Sequence, residues 1–334
     1  MRIKSNFGSD AALMLVTLIW GSTFVMAKDV LDYWPPLSYI TIRFALAALV
    51  LVALFPRLFI HARLEEWRAG ATLGLLMSLA FAGQAIGQVY TTPSKSAFIT
   101  GLTTPLVPFI ALFLLRVRPT LENLIGVALA SVGGVLILIP TDASVNGGDV
   151  LTLFCTLLFA AHITLLSSYA RRFDVRSLTV LQITSAAAVF VFVWLGFKGC
   201  AVFLARHPLP QVVAREAVPL IWTGRVLWQI IFLALVATVA TFLLWTWGQS
   251  RVSATHAAII FSLEPVFATA FAVAVRGGKE WMGGRASLGA GLIFAGIIVS
   301  ELRLGESREG EAGAGAAACA LDEDVDISLA EGEG

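Results

Sequence analysis

Inside the apolar stretch IIFSLEPVFATAFAV, residues 259–273, one acid stands directly before a proline, Glu264 and Pro265. An ionised carboxyl facing lipid is costly. Glu264 must therefore face a cavity, find a partner or hold its proton. Two roles fit: a site that releases a proton on opening to water, and a structural hydrogen bond. Pro265 has no amide hydrogen, so the carbonyl of Phe261 loses its helical partner. Pro105 does the same to Gly101. Freed backbone groups of this kind can face a substrate, or they can mark a packing kink.

Other polar residues in apolar surroundings extend this set. Arg43 has a donor fork suited to a carboxylate; it could equally hold Glu264 or loop carbonyls as a structural pair. Lys95 could reach substrate or snorkel to the interface. His256 and His162 fit a proton-responsive group or a packed, hydrogen-bonded one. Three polar-aromatic patches follow: Trp20, Ser22 and Thr23; Gln84, Gln88, Tyr90 and Thr91; Trp245, Trp247 and Gln249. Their rings could stack on aromatic or cationic substrates or anchor helices at an interface.

The elements that must position these residues are membrane spans. The chain has 334 residues, 58% of them hydrophobic and only 13% charged, with a mean hydropathy of +0.85. Those values describe an all-α integral membrane protein. Ten spans are expected near 11–28, 37–55, 68–90, 96–115, 121–139, 149–169, 178–197, 226–247, 255–275 and 286–303. The connection 198–225 is long enough to carry an interfacial helix. The first span could be misread as a signal peptide ending at Ala27. Residues 304–334 are rich in Gly, Ala and acid and read as a disordered acidic tail. Cys155, Cys200 and Cys319 lack metal spacing.

Basic residues in the first loops (Arg2, Lys4, Arg57, Arg63, Arg116, Arg118, Arg171, Arg172, Arg176) fall on one side. That puts both termini in the cytoplasm. Arg276, Lys279 and Arg285 fall on the opposite side, against the rule.

Self-comparison shows a duplication. Trp20-Gly21, Thr23 and Arg43 fall on Phe159-Ala160, His162 and Gln182 at a shift of 139. Ala97, Pro105 and Arg116 fall on Ala257, Pro265 and Arg276 at a shift of 160. Gly126 and Gly133 fall on Gly289 and Gly296 at a shift of 163. The copies span 11–140 and 149–303, after a cytoplasmic N-terminus at 1–10. Each holds five helices, and an odd number inverts the second copy in the membrane. Two inverted five-helix repeats are the geometric basis of alternating access. Gly126, Ala130 and Gly134 have the small-residue spacing of helix packing.

LIWGSTFV, Arg43-Phe44, PSKSAFITGLTTPLVPFIALFLLRVRPT and SLEPVFATAFAVAV resemble the EamA family of the drug/metabolite transporter superfamily. The resemblance runs over about 11–303. It implies ten helices around a central cavity lined by the first four helices of each copy, the fifth supporting them. It also implies export of amino acids, other metabolites or drugs across the plasma membrane. One departure is RGGKEWMGG, where Lys279 precedes the acid Glu280 that usually ends the turn.

The expected partners are a small-molecule substrate and the lipid bilayer, with a homodimer left open. A net charge of +1 gives no nucleic-acid signature. No cofactor is expected, because no nucleotide or metal motif appears. The alternatives are exchange of sugar phosphates or nucleotide sugars, which needs more cavity cations, and an intramembrane enzyme or a non-transporting scaffold.

Overall fold

The computed structural model describes residues 7–116, 118–119, 121–138, 146–170, 172–203, 215–216, 218–249, 260–261, 263–278, 281 and 283–301. Its helices are α1 (Phe7–Leu31), α2 (Pro36–Leu54), α3 (Pro56–Ile60), α4 (Leu64–Tyr90), α5 (Pro93–Gly101), α6 (Thr103–Leu115), α7 (Leu121–Leu138), α8 (Gly147–Tyr169) and α9 (Val175–Phe203). After these come α10 (Gly224–Ile231), a π-helical stretch Phe232–Ala240, α11 (Thr241–Gln249), α12 (Glu264–Arg276) and α13 (Gly283–Glu301). Among the described residues, seven helices are long and apolar enough to cross a membrane. One is the pair α5–α6, and another is the run from α10 through the π stretch to α11. With α7, α12 and α13 they make the ten-helix, two-repeat membrane fold.

Helix starts follow local chemistry. Prolines occupy the first turns of α2, α3, α5 and α12, where a missing amide hydrogen costs nothing. Thr92, Asn146 and Thr223 accept a hydrogen bond from the first turn of α5, α8 and α10. Inside lipid there is little hydrophobic drive between helices, so close packing of small residues holds them together. Gly70 and Gly74 of α4 lie against Leu181, Gln182 and Ser185 of α9, and Gly83 and Gly87 lie against Cys155 and Thr152 of α8. The first helix is built into this core, with Leu13 and Val16 fully buried, so it is a structural span.

The inversion of the repeat is visible where the two fifth helices cross. A Cβ on Gly133 would strike the Gly289 carbonyl and come 2.9 Å from the Ile293 nitrogen. A Cβ on Gly296 would come 2.5 Å from the Gly126 carbonyl and 2.9 Å from the Ala130 nitrogen. So 126 faces 296 and 133 faces 289, an antiparallel register. The repeat relates 126 to 289 and 133 to 296, so exchanging the copies exchanges the two contacts. The stripe runs through Gly133. Elsewhere α1 packs on α12 and α8 on α6, the same pairing seen from each copy.

Several details differ from the sequence reading. α1 and α9 run longer than expected, because Leu31 and Phe203 still continue their helices. The short α3 replaces an expected loop. The eighth span carries nine residues of π-helix, which its unbroken apolar sequence did not signal. The acidic tail, Cys319, Lys279 and Glu280, and residues 204–214 of the long connection lie outside the described residues.

Gly133→Leu and Gly296→Leu are each expected to destabilise the protein by about 1–3 kcal/mol, because backbone atoms would have to move. Gly291→Leu, on the open face of α13 with nothing near its Cβ position, is expected to change stability by no more than about 0.5 kcal/mol. Thermal unfolding in detergent compares the three.

Candidate functional site

Arg43 lies near the middle of α2 and is buried. Its Nε donates to Thr238 Oγ1 (3.0 Å), its Nη1 to Tyr39 Oη (3.1 Å) and its Nη2 to the Ala237 carbonyl (3.4 Å). Both Ala237 and Thr238 belong to the π stretch. Trp20 Nε1 donates to Thr241 Oγ1 (2.9 Å) and to the same Ala237 carbonyl (3.3 Å). The widened helical turn thus presents acceptors to a cation and an indole of the first copy. π-turns commonly mark functional positions. The Arg43 guanidinium also sits 5.6 Å from the ring centres of Phe44 and Phe81, within cation–π range. Among the described residues it has no carboxylate partner.

A cleft opens beside this guanidinium. Thr23, Phe24 and Ala27 of α1, Tyr39, Ile40 and Arg43 of α2, and Phe81, Gln84, Ala85 and Gln88 of α4 line it. Gln84 Nε2 donates to Thr100 Oγ1 (3.1 Å), and the buried Gln88 donates to the Phe24 carbonyl (2.7 Å). The cavity volume is about 30 Å³. That holds a water or two, well short of the ~300 Å³ of an ordinary small-molecule site. The helices must separate before a metabolite enters.

Towards the α11 end, aromatic rings close the space below Arg43. Trp20 stacks on Phe261 at 5.8 Å and meets Trp245 edge-on at 5.2 Å. Phe242 lies 5.7 Å from Trp20 and 5.5 Å from Trp245. This plug joins α1 of the first copy to α11 and Phe261 of the second.

At the opposite end, where α1 finishes and α2 begins, polar contacts cross between the copies. Asp29 accepts from Arg225, from Arg276 (2.6 Å) and from Gln229 (3.3 Å), and Arg276 also reaches Asp32 (3.5 Å). Lys95 Nζ pairs with the fully buried Asp149 at 2.6 Å. Asp149 itself accepts from the Asn146 amide as part of the α8 cap. Asn146 Nδ2 donates to the Tyr90 carbonyl (2.9 Å). Lys28 Nζ donates to the carbonyls of Gln88, Val89 and Thr91, where a cation complements the α4 C-terminus.

Glu216 completes this end. Its carboxylate accepts from the amides of Leu37 (2.8 Å) and Ser38 (3.1 Å) and from Ser38 Oγ (2.8 Å), so it caps α2 from the far copy. Trp194 donates to Ser38 Oγ, and Trp34 donates to the Ile221 carbonyl. Burial pushes the Glu216 carboxyl above its usual range, and the hydrogen bonds from Leu37 and Ser38 pull against that shift.

Of the expected site residues, Arg43, Thr23, Gln84 and Gln88 come together in the cleft. Trp20 and Trp245 lie beside it in the aromatic plug and pack on each other. Pro105 and Pro265 stand at real helix breaks. Leu102 turns between α5 and α6, Leu263 precedes α12, and a Cβ on Gly101 would come 3.0 Å from Pro265 Cγ. The two breaks therefore meet. Glu264 begins α12 where a Cβ on Gly21 of α1 would come 3.2 Å from its carbonyl. It is not in the cleft lining, and Arg43 does not hold it.

Lys95 neither snorkels nor lines the cleft, because Asp149 takes its charge. His162 Nε2 is hydrogen-bonded to Gln182 Oε1 at 2.9 Å and is buried, 6.3 Å from the Trp245 ring centre. His256 lies outside the described residues. Sequence reasoning missed Tyr39, Phe81, Asp29, Asp149 and Glu216. Tyr39 and Arg43 are one helical turn apart, which helical periodicity signals. Phe81 reaches Arg43 from α4 of the same copy and looks like any apolar residue of its span. Asp29, Asp149 and Glu216 act across the copies, and their own sequence surroundings do not name their partners.

A family model described as the EamA-like transporter family matches residues 8–139 and again 146–302. A protein of Archaeoglobus fulgidus named "Uncharacterized transporter" is 32% identical over 298 residues, covering 89% of this chain and 86% of that protein. A protein of Salmonella typhimurium named "Probable amino-acid metabolite efflux pump" is 27% identical over 300 residues, covering 86% of this chain and 92% of that protein. A crystal structure 16% identical in sequence has a TM-score of 0.60, covering 88% of this chain and 96% of that one, a likeness of fold.

Lys95→Met leaves Asp149 buried without its cation and is expected to cost about 3–5 kcal/mol. The double variant Lys95→Met/Asp149→Asn is expected to be more stable than Lys95→Met alone, since the stranded charge is gone. A double-mutant cycle on unfolding in detergent measures both.

Proposed function

Because this chain belongs to the EamA-like transporter family, we propose that it is a secondary active exporter of small metabolites that works by alternating access. The observation that supports this most is the cleft beside Arg43. Contacts between the two copies bound it on both sides, polar ones at the Asp29 end and aromatic ones at the Trp20–Trp245 end. In this reading the two closures open in turn. The N-terminus lies in the cytoplasm and the membrane is the plasma membrane, so the Asp29 end faces outward. The substrate class includes amino acids and related metabolites, in keeping with the name of the Salmonella relative.

Arg276 bears on the orientation. It counts against the rule that basic residues stay inside, yet Asp29 and Asp32 hold it. The bias of the first loops, which usually sets orientation, outweighs it. Exchange of sugar phosphates is disfavoured, because among the described residues Arg43 is the one cation in the cleft lining and Lys95 is committed to Asp149. Coupling to protons through Glu264 is part of the proposal: the residue sits at the contact of α1 with α12, which must shift if the halves move.

Metabolites released by cells producing wild type, Arg43→Ala or Glu264→Gln at equal membrane levels test the reading. One compound class is expected outside wild-type cells, with release by Arg43→Ala reduced about tenfold or more. Release by Glu264→Gln is expected to lose its dependence on external pH. Equal release by wild type and empty cells, with no uptake into vesicles holding the purified protein, would overturn the transport proposal. Unchanged pH dependence in Glu264→Gln would remove the proton coupling alone.

A further inference from the structure

The charge balance of the cleft says what its substrate must bring. Arg43 carries a full positive charge at membrane depth, and each of its three hydrogen-bond partners is neutral: Thr238 Oγ1, Tyr39 Oη and the Ala237 carbonyl. A guanidinium has five N–H donors, so two remain. Thr238 has spent its one donor, because its hydroxyl donates to the Leu233 carbonyl (2.8 Å). Tyr39 Oη accepts from Arg43, which leaves its own O–H to donate. Donors therefore converge on the cleft.

Among the described residues, no acid lines the cleft. Asp29, the nearest acid on α1, is engaged by Arg225 and Arg276, and Glu264 lies outside the lining. An ammonium entering here would meet a buried cation and no carboxylate. The rest of the wall mixes apolar Phe24, Ile40 and Phe81 with the neutral polar side chains of Thr23, Gln84 and Gln88.

We propose that the Arg43 cleft selects a small organic monoanion, its carboxylate held by Arg43 and Tyr39 and its apolar body against Phe81, over the zwitterionic amino acid of the same shape. This rests on the exporter reading and narrows its substrate class. A carboxylate matches the guanidinium fork in two parallel charge-assisted bonds. It also compensates a charge whose protein partners are all neutral dipoles. A zwitterion brings the same carboxylate with an ammonium, for which the described lining has no carboxylate and only the neutral oxygens of Thr23, Gln84 and Gln88, a poor exchange for the hydration of a full charge.

Three probes of one shape decide it: 3-phenylpropanoate, its primary amide and L-phenylalanine. Binding to the purified full-length protein in detergent is followed by quenching of tryptophan fluorescence at pH 7. The acid is expected to bind about tenfold tighter or more than either of the others. Arg43→Gln is expected to abolish the advantage of acid over amide, and Arg43→Lys to keep part of it. Binding of the amide as tight as the acid, tighter binding of L-phenylalanine, or no binding of the acid would overturn the proposal. If Arg43→Gln does not fold, the wild-type comparison decides alone. Metabolite release from cells is a separate readout: release without a preference for the acid removes this inference and leaves the exporter reading standing.

Discussion

A guanidinium is buried at membrane depth with only neutral oxygen atoms around it, and the centre of the molecule is organised by that. In lipid no water completes the hydrogen bonds of a stray polar group. Arg43 therefore needs acceptors from the helices packed against it, and a carbonyl already in a helical ladder still has a second lone pair to offer. The π stretch Phe232–Ala240 meets this need. Its Ala237 carbonyl serves both Arg43 and Trp20, and Thr238 bridges from Arg43 to Leu233. Two helices of the first copy are thereby joined to the eighth helix, in the second. The cleft and the aromatic plug both border this joint.

The duplicated, inverted architecture explains how such a centre can be enclosed and still be reached. The fifth helix of each copy crosses the other through glycines and stays clear of the cleft, a support that can remain in place. The broken fourth and ninth helices meet at Gly101 and Pro265. At the Asp29 end, ion pairs and the Glu216 cap join one copy to the other. Arg225 and Asp32 are exposed while Asp29 and Arg276 are partly buried. Pairs that reach solvent contribute little each, which suits contacts that must break and re-form. The buried Lys95–Asp149 pair is costlier to disrupt and belongs with the parts that hold their shape.

Much of this was legible in the sequence, and the reason is physical. Lipid demands long apolar spans, so ten of them stood out. Close crossing of two helices demands glycine, so Gly126, Gly133, Gly289 and Gly296 were recognisable as a repeated set. Proline removes a donor wherever it stands, so the breaks near Pro105 and Pro265 could be foreseen. The π stretch could not, since FLALVATVA reads as an ordinary apolar helix and its widening answers groups on α1 and α2. Asp29 and Arg276 are 247 residues apart and Glu216 caps a helix 178 residues upstream. Such pairings follow from the inversion of the second copy. One clue was present: Arg276 lay on the wrong side for a basic residue, and a charge that breaks the rule invites a search for its partner.

The central claim is that the cleft communicates with each face of the membrane in turn. A single cysteine placed at Thr23, in a background without Cys155, Cys200 and Cys319, tests it with a membrane-impermeant thiol reagent applied to one face at a time. Modification is expected from each face, and faster from the outer face when Asp29→Asn weakens the ion pairs there. Modification from one face only, with Asp29→Asn making no difference, would contradict it.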